Sequence, residues 1–202
     1  MKRIFSYIGI GALVLMSISC ISIDTEITIN SNGSGEAELI YRVSQMIAQM
    51  GRMNTEDSDL PLPLTRENFQ ASVNAVEGLS LDSFSTSEDE EFVIIRAALS
   101  FDSIEDLNQF YQYSEPMFSI EEDGDLSRYT QIISWGNEET LTEENREFIN
   151  TFFEDYTLSF VVNVPEDIQE NNIGELASTR TVSYTVPLPT IMEEEITLEI
   201  LW

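Results

Sequence analysis

The chain has 202 residues and a formal net charge of −28 at pH 7, because 37 acidic residues outnumber nine basic ones. A single cysteine and the absence of histidine exclude histidine-assisted nucleophilic catalysis, cysteine–histidine metal sites and an intramolecular disulfide. Such an acidic surface also excludes nucleic acid as a partner, because it repels phosphate.

The first 20 residues are typical of a secretion signal. Lys2 and Arg3 precede an apolar run at 4–18, which is shorter than the roughly 20 residues of a membrane-spanning helix. The small residues Ser17 and Ser19 then lead to Cys20, the only cysteine. The sequence therefore predicts an exported protein with a thiol at the end of its signal.

The segment LMSISC at 15–20 resembles the lipobox of bacterial lipoproteins, although Ser17 stands where leucine is usual. The resemblance implies that 1–19 is a signal peptide and that the thiol of Cys20 receives a diacylglyceryl group. Two alternatives stay open: an ordinary cleaved signal peptide, or an uncleaved anchor, each with an incidental cysteine. Because Ile21 rather than Asp follows Cys20, the sorting rule of enteric bacteria favours the outer membrane or cell surface over the inner membrane.

The mature chain, 20–202, keeps seven arginines, no lysine and all 37 acidic residues, a net charge near −30. A hydrophobic content of 42% over the whole sequence is enough for a folded core and excludes a disordered acidic tail. The acids are spread along the whole chain, which favours salt adaptation over a specific cationic ligand. We expect one extracytoplasmic domain, held at a membrane by lipid on Cys20.

The elements predicted after Cys20 are hairpins separated by amphipathic helices. Residues 21–29 and 36–43 alternate apolar and polar side chains on either side of a Gly-, Asn- and Ser-rich turn, which predicts the first hairpin. Helices are predicted at 44–53 and from the capping residues Thr65, Ser103 and Thr140. Further strands are predicted at 79–84, 92–101, 117–120, 126–135, 156–164, 180–187 and 195–202, with polar connections at 54–63 and 165–179.

This order predicts an α+β fold. Strands joined by tight turns pair antiparallel, and each amphipathic helix has to bury one stripe. We expect a mostly antiparallel β-sheet of hairpins, with about three helices packed on one face.

Both ends of the mature chain resemble the loosely defined group of bacterial lipoproteins with an LppM-type domain. The resemblance rests on DTEITINSNGSGEAELIYRV at 24–43, VVNVPEDIQENN at 161–172 and TVSYTVPL at 181–188. It implies a surface or envelope binding domain that lacks catalytic residues, so the group offers no site to transfer to this chain.

Carboxylates are the only abundant reactive groups. A glycosidase needs two acids about 5–9.5 Å apart in a cleft, and the sequence does not select a pair. The acidic segment at 121–125 lacks the spacing of an EF-hand loop, so we expect a solvated hairpin turn rather than a calcium site. Acidic segments at 87–91 and 193–195 are likewise expected at the surface.

Aromatic and arginine side chains are the remaining candidates for binding. An apolar pocket is one interpretation of the aromatics, but such stripes are more often core. For the arginines, structural pairing with carboxylates is favoured over binding of an anionic headgroup. The aromatics are Phe148, Phe152, Phe153, Tyr156, Tyr41, Tyr184 and Trp202, and the arginines, all expected in strands, are Arg42, Arg96 and Arg180.

The function predicted from the sequence is a non-enzymatic binding or structural domain of the cell envelope, anchored to a membrane through Cys20. No cofactor, metal or catalytic residue is expected, and the partner would be a protein or an apolar ligand. One alternative is a carrier or chaperone for lipid or lipoprotein cargo, which requires an apolar cavity. Another is a carboxylate-dependent hydrolase.

Overall fold

The alternating segments of the sequence form β-strands. The computed structural model describes residues 21–45, 65–111, 115–136, 142–153 and 156–202. In chain order its strands are β1 (Ile21–Ile29), β2 (Gly35–Ser44), β3 (Leu79–Glu88), β4 (Phe92–Phe101), β5 (Phe118–Asp123), β6 (Leu126–Trp135), β7 (Thr157–Asn163), β8 (Glu170–Asn171), β9 (Glu175–Ser178), β10 (Thr181–Pro187) and β11 (Glu195–Leu201).

Seven strands form the larger sheet, in the order β3-β4-β2-β1-β7-β10-β9. Neighbours are antiparallel except β1 and β7, which run parallel. The turn between β1 and β2 is closed by Asn30 N, which donates to Ser34 O at 2.8 Å. Because β1 lies between β2 and β7, the first described strand occupies the centre of the sheet.

The smaller sheet has four strands in the order β5-β6-β11-β8. The acidic segment at 121–125 ends β5 and forms the β5–β6 turn at 124–125, where Gly124 adopts a φ of 70°. β11 pairs antiparallel with β6, so that Glu195 lies opposite Trp135. At the other end of this pair Trp202 N donates to Ser127 O at 3.0 Å, which places the two tryptophans at opposite ends of the sheet.

Four short helices lie in the described ranges: α1 (Arg66–Asn74), α2 (Ile104–Tyr111), α3 (Glu143–Phe153) and α4 (Leu188–Glu193). Two of the predicted caps are present. Thr65 Oγ1 accepts from Asn68 N at 3.2 Å, and Ser103 Oγ accepts from Asp106 N at 3.3 Å. The first bond satisfies a backbone donor at the start of α1, and Asp106 N shares its hydrogen bond between the hydroxyl and the carbonyl oxygen of Ser103.

One hydrophobic core joins the inner faces of both sheets to α1 and α2. Aromatic rings link these elements: Phe69 of α1 lies 5.7 Å from both Phe84 of β3 and Phe110 of α2, measured between ring centroids. Tyr111 continues the chain of rings to Phe118 of β5 at 5.5 Å. The helices therefore close the core over the β3–β4 side of the larger sheet.

The predicted α+β class with mostly antiparallel strands is confirmed, and three details differ. The strands divide between two sheets, and β8 and β9 lie within 165–179, which the sequence analysis assigned to a polar connection. Strands of two and four residues are too short to show a period. The helix α4 was also missed, because its six residues contain a proline. Residues 46–63, where a helix and a loop were predicted, lie outside the described residues.

Candidate functional site

The predicted lipidation site, Cys20, lies outside the described residues, but its neighbour Ile21 begins β1. Ile23 is aligned with Leu158 in the parallel β1–β7 pair, so Ile21 is level with Tyr156. On the other side of β7, Leu188 N donates to Tyr156 O at 2.7 Å. We call the end of the domain marked by Ile21, Tyr156 and Leu188 the anchor pole.

An open depression of about 460 Å³ lies at the edge of the larger sheet, beside β10. It is lined by Gly174 and Glu175 on one side and by Ser183, Tyr184 and Thr185 on the other. β9 pairs with β10 only as far as Ser183, so in the described part of the chain the rest of β10 has no strand on that side. Because alternate residues of such an edge direct N–H and C=O groups outward, the depression can accept an extended backbone.

The rim of this depression is fixed by a close backbone approach at Gly174. Its φ is +84°, and an added Cβ would lie 2.8 Å from Ser183 O and 2.9 Å from Val182 Cγ1. Asn171 Nδ2 donates to Ile173 O at 2.9 Å and to Gly174 O at 3.3 Å, which holds the preceding loop. The site is therefore formed before any ligand arrives.

Tyr184 joins the depression to the inner face of the sheet. It lies opposite Phe160 of β7, and both side chains are only partly buried, as are Leu158 and Ile191. We call these four residues the apolar flank. Burial, and then the charge of Glu194, raise the pKa of Tyr184, so its phenol stays neutral at ordinary pH and can donate a hydrogen bond.

The three arginines singled out in the sequence are all exposed. Arg42 Nη1 lies 3.8 Å from Asp24 Oδ2, and Arg180 Nε lies 3.0 Å from Asp167 Oδ1. Arg96 Nη1 donates to Ser87 Oγ at 3.5 Å. Pairing with carboxylates is thus present for two of them at the surface, while the expectation that Arg180 lies in a strand is wrong, because it occupies the turn before β10.

Most of the described aromatic candidates belong to the core, as predicted. Tyr41, Tyr156 and Trp202 are buried, and the ring of Phe153 lies 5.1 Å from that of Tyr156. Tyr184 is the exception, since it is partly exposed beside the depression. The side chains of residues 148 and 152 lie outside the description.

The acidic segments form turns and ion pairs. Asp89 accepts from Phe92 N at 2.7 Å and Glu91 N at 2.9 Å, and these bonds lower the pKa of its carboxyl. Asp123 Oδ2 pairs with Arg128 Nη2 at 2.6 Å. Within the described ranges no three acidic side chains converge on a point that would suit a metal ion.

Glu193 departs from the surface role expected for 193–195. It is partly buried, and its Oε2 accepts from Arg146 Nη1 at 3.1 Å. This pair connects α3 to α4 at the anchor pole. The remaining polar atoms, Arg146 Nε and Glu193 Oε1, are buried without a hydrogen-bond partner, so the pair serves packing at a cost in desolvation.

Sequence reasoning missed the depression because two short, non-periodic segments create it. β9 has four residues, and the preceding loop contains Asn172 and Gly174, which signal a turn but not its location in the fold. Only the pairing of β9 with β10 shows that this turn borders Tyr184.

Comparison with known proteins gives a fold but no family. No protein-family model matches the chain, and a search of curated proteins gave no match. Among solved structures, the folded domain of the LppM protein of Mycobacterium tuberculosis, determined by NMR, is similar with a TM-score of 0.51 and 13% sequence identity. The match covers 91% of this chain and 89% of that chain.

At this identity the similarity concerns the fold alone, and at that level it supports the resemblance of the two ends of the chain to LppM-type domains. No helix in the described ranges has the length and apolar character needed to cross a bilayer.

Proposed function

We propose that the chain is a lipid-anchored, extracytoplasmic envelope lipoprotein whose folded domain binds a partner without catalysing a reaction. The observation that carries this proposal is the start of β1 at Ile21, directly after the lipobox-like segment that ends at Cys20. A lipid on Cys20 would join the domain at the anchor pole with no intervening linker. The chain also lacks histidine, the commonest general acid and base.

The anchor is tested by expressing the full chain in a bacterium that processes lipoproteins and supplying radiolabelled palmitate. The unmodified chain should incorporate label and fractionate with membranes. Cys20→Ser should remain unlabelled, because a hydroxyl does not replace the nucleophilic thiol. An unmodified chain that retains Met1 and stays free in the cytoplasm would overturn the proposal.

The binding role is assigned to the depression beside β10, with an extended peptide segment as its ligand. The unpaired part of β10 supplies backbone hydrogen-bonding groups, and Ser183 supplies a hydroxyl, while Thr185 Oγ1 lies 3.2 Å from Ser159 Oγ. A further strand added here would continue the position of β9 along the sheet edge. Hydrogen bonding through the main chain needs no basic side chain. This mode of binding therefore suits a mature domain that has only seven basic residues, all of them arginine.

Site-specific photocrosslinking in cells tests this role. A crosslinker at Thr185, inside the depression, should capture peptide segments of envelope proteins. The same crosslinker at Ser178, an exposed position at the other end of β9, is the matched control and should capture few of them. Equal capture at both positions would argue against a site beside β10.

A carrier of apolar ligands is the second candidate, and the apolar flank favours it. Leu158, Phe160 and Tyr184 face inward but are only partly covered, so an acyl chain could complete their burial. Mass spectrometry of material that co-purifies with the chain distinguishes the candidates. A lipid present in stoichiometric amount, and lost from Tyr184→Ser, would make the chain a carrier.

A further inference from the structure

Two large apolar side chains are exposed on elements that contact each other, β6 and α4. Trp135, the last residue of β6, is 41% exposed, and Met192 of α4 is 37% exposed. Ser134 Oγ donates to Ile191 O at 2.5 Å, so the residues adjoining Trp135 and Met192 are held together. We call Trp135 and Met192 the Trp–Met patch.

The backbone around this patch is tightly packed. Gly136 adopts a φ of +68°, and an added Cβ would lie 2.8 Å from Glu195 N and 3.0 Å from Glu194 C. Gly136 N donates to Ser134 Oγ at 2.9 Å. The patch is therefore presented on a fixed surface, and its exposure is a property of the fold.

The helix that carries Met192 starts at the anchor pole. The helix α4 begins at Leu188, which is bonded to Tyr156, and Tyr156 is level with Ile21. Two strand spacings of roughly 4.8 Å therefore separate the start of α4 from the start of β1, a distance of about 10 Å. Trp202, by contrast, is buried at the far end of the β6–β11 pair, about 25 Å from Trp135 by the rise of a strand.

We infer that the anchor pole faces the bilayer and that the Trp–Met patch enters the boundary between headgroups and acyl chains. This inference rests on the proposed attachment of lipid at Cys20. Tryptophan favours that boundary because its ring is apolar and its indole N–H is polar. Two side chains give little affinity by themselves, but the anchor holds them at the surface at high effective concentration.

The charged residues near the anchor pole determine which kind of bilayer the Trp–Met patch can enter. Exposed acids lie on both sides of the start of β1, in the β3–β4 turn at 89–91 and at Glu194 and Glu195. Glu193, in α4 beside Met192, is paired with Arg146. Anionic headgroups would repel this surface, so the patch enters a zwitterionic bilayer more deeply than an anionic one.

The test couples the full chain to a maleimide phospholipid through the thiol of Cys20, its only cysteine. This coupling supplies an anchor whether or not cells acylate Cys20, so failure here is separate from failure of the proposed lipidation. The vesicles contain phosphatidylcholine with brominated acyl chains, which quench tryptophan at the boundary. Trp135→Phe is the matched variant, since it leaves Trp202 as the only tryptophan.

The coupled chain should lose emission in brominated vesicles, relative to unbrominated ones, and should shift its emission to the blue. Trp135→Phe should show neither change. Replacing half of the phosphatidylcholine with phosphatidylglycerol should reduce the quenching, and added salt should restore it. Equal emission in both kinds of vesicle, with flotation showing the chain bound, would overturn the inference.

A second copy of the chain is the competing occupant of the patch. In that case Trp135 would become protected from aqueous acrylamide as the density of chains on unbrominated vesicles rises, without quenching by brominated lipid. That result would also overturn the inference.

Discussion

Two regions of the same sheet face differ in how completely they are covered. On the β4 side, Val93, Ile95 and Leu99 are at most 1% exposed. On the β7–β10 side, Leu158, Phe160 and Tyr184 occupy equivalent inward positions but stay partly exposed. In both regions apolar side chains occupy every second, inward position, although residues 92–95 of β4 form a continuous apolar run. The packed elements therefore determine how deeply these inward side chains are buried.

The helices account for this difference in burial. The helix α1 contacts β3, and α2 contacts β4 and β5, so apolar rings cover the inner face of β2, β3 and β4. We call this part of the sheet the closed side. On the side of the apolar flank, the short helix α4 contacts β10 and β6 and contributes the partly buried Ile191. A binding surface needs area that the fold leaves uncovered, and this sheet provides it at the flank and not at the closed side.

Truncating one leucine in each region should give the largest contrast. Leu99→Ala leaves a cavity in a fully buried site and should lower the free energy of unfolding by about 2–5 kcal/mol. Leu158→Ala removes the same atoms from a partly solvated site and should cost about 1 kcal/mol. Urea midpoints of the two variants measure the difference, and equal losses would mean that the two regions are covered alike.

A methyl group added to a glycine tests how tightly the closed side is packed. An alanine Cβ at Gly35, on β2, would overlap Thr28 O and the ring of Phe101, so Gly35→Ala should cost about 3 kcal/mol. Gly33, in the turn of the same hairpin, has open space around an added Cβ but a φ of +83°. Gly33→Ala should therefore cost about 1 kcal/mol, from backbone strain alone. Urea unfolding measures both losses of unfolding free energy. A smaller loss for Gly35→Ala than for Gly33→Ala would show that the backbone and side chains around Gly35 can move to accommodate a methyl group.

The strands that carry this contrast were predictable from sequence because they are long. β1 and β2 have nine and ten residues, and their apolar side chains recur with a period of two. β4 and β6 have ten residues each and are rich in β-branched and aromatic residues. Capping residues similarly predicted where α1 and α2 begin. The α+β class followed from these elements alone.

The neighbours of each strand could not be predicted, because pairing is a long-range property. The parallel contact of β1 with β7 joins residues more than 130 positions apart in the chain, as in the Ile23–Leu158 pair. The division into two sheets has the same origin. For the same reason the sequence did not show that Tyr184 borders a depression, or that the end of β6 lies beside α4.

The chemistry predicted at Cys20 depends on a local motif and stays a prediction. The structure shows where the residue after Cys20 lies: Ile21 begins β1, the central strand of the larger sheet. The acidic segments show the opposite case, where local sequence located the turns. Turns were expected at 87–91 and 121–125, and the structure has them at 89–91 and 124–125, with the preceding residues in β3 and β5.

The smallest expected difference between the two regions concerns how the free energy of unfolding falls at alkaline pH. Burial raises the pKa of Tyr41, on the closed side, far above its usual range, whereas the pKa of the partly exposed Tyr184 is raised less. In the unfolded chain both phenols have a pKa of about 10. Below that pH both phenols are neutral in the folded and the unfolded chain, and their full contribution to stability is present. Above it the unfolded chain releases protons first and stability falls, by up to about 1.4 kcal/mol per pH unit for each such group.

Tyr41→Phe should therefore flatten the loss of stability between pH 10 and 11, measured by urea unfolding, and Tyr184→Phe should change it little. Tyr129, which is buried and has its pKa raised by desolvation, is common to both variants and sets the residual slope. Because each variant removes one hydroxyl and keeps the ring, the comparison reports how firmly each region excludes water. If Tyr184→Phe flattens the curve as much as Tyr41→Phe, the apolar flank is as dry as the closed side, and its role as a binding surface fails.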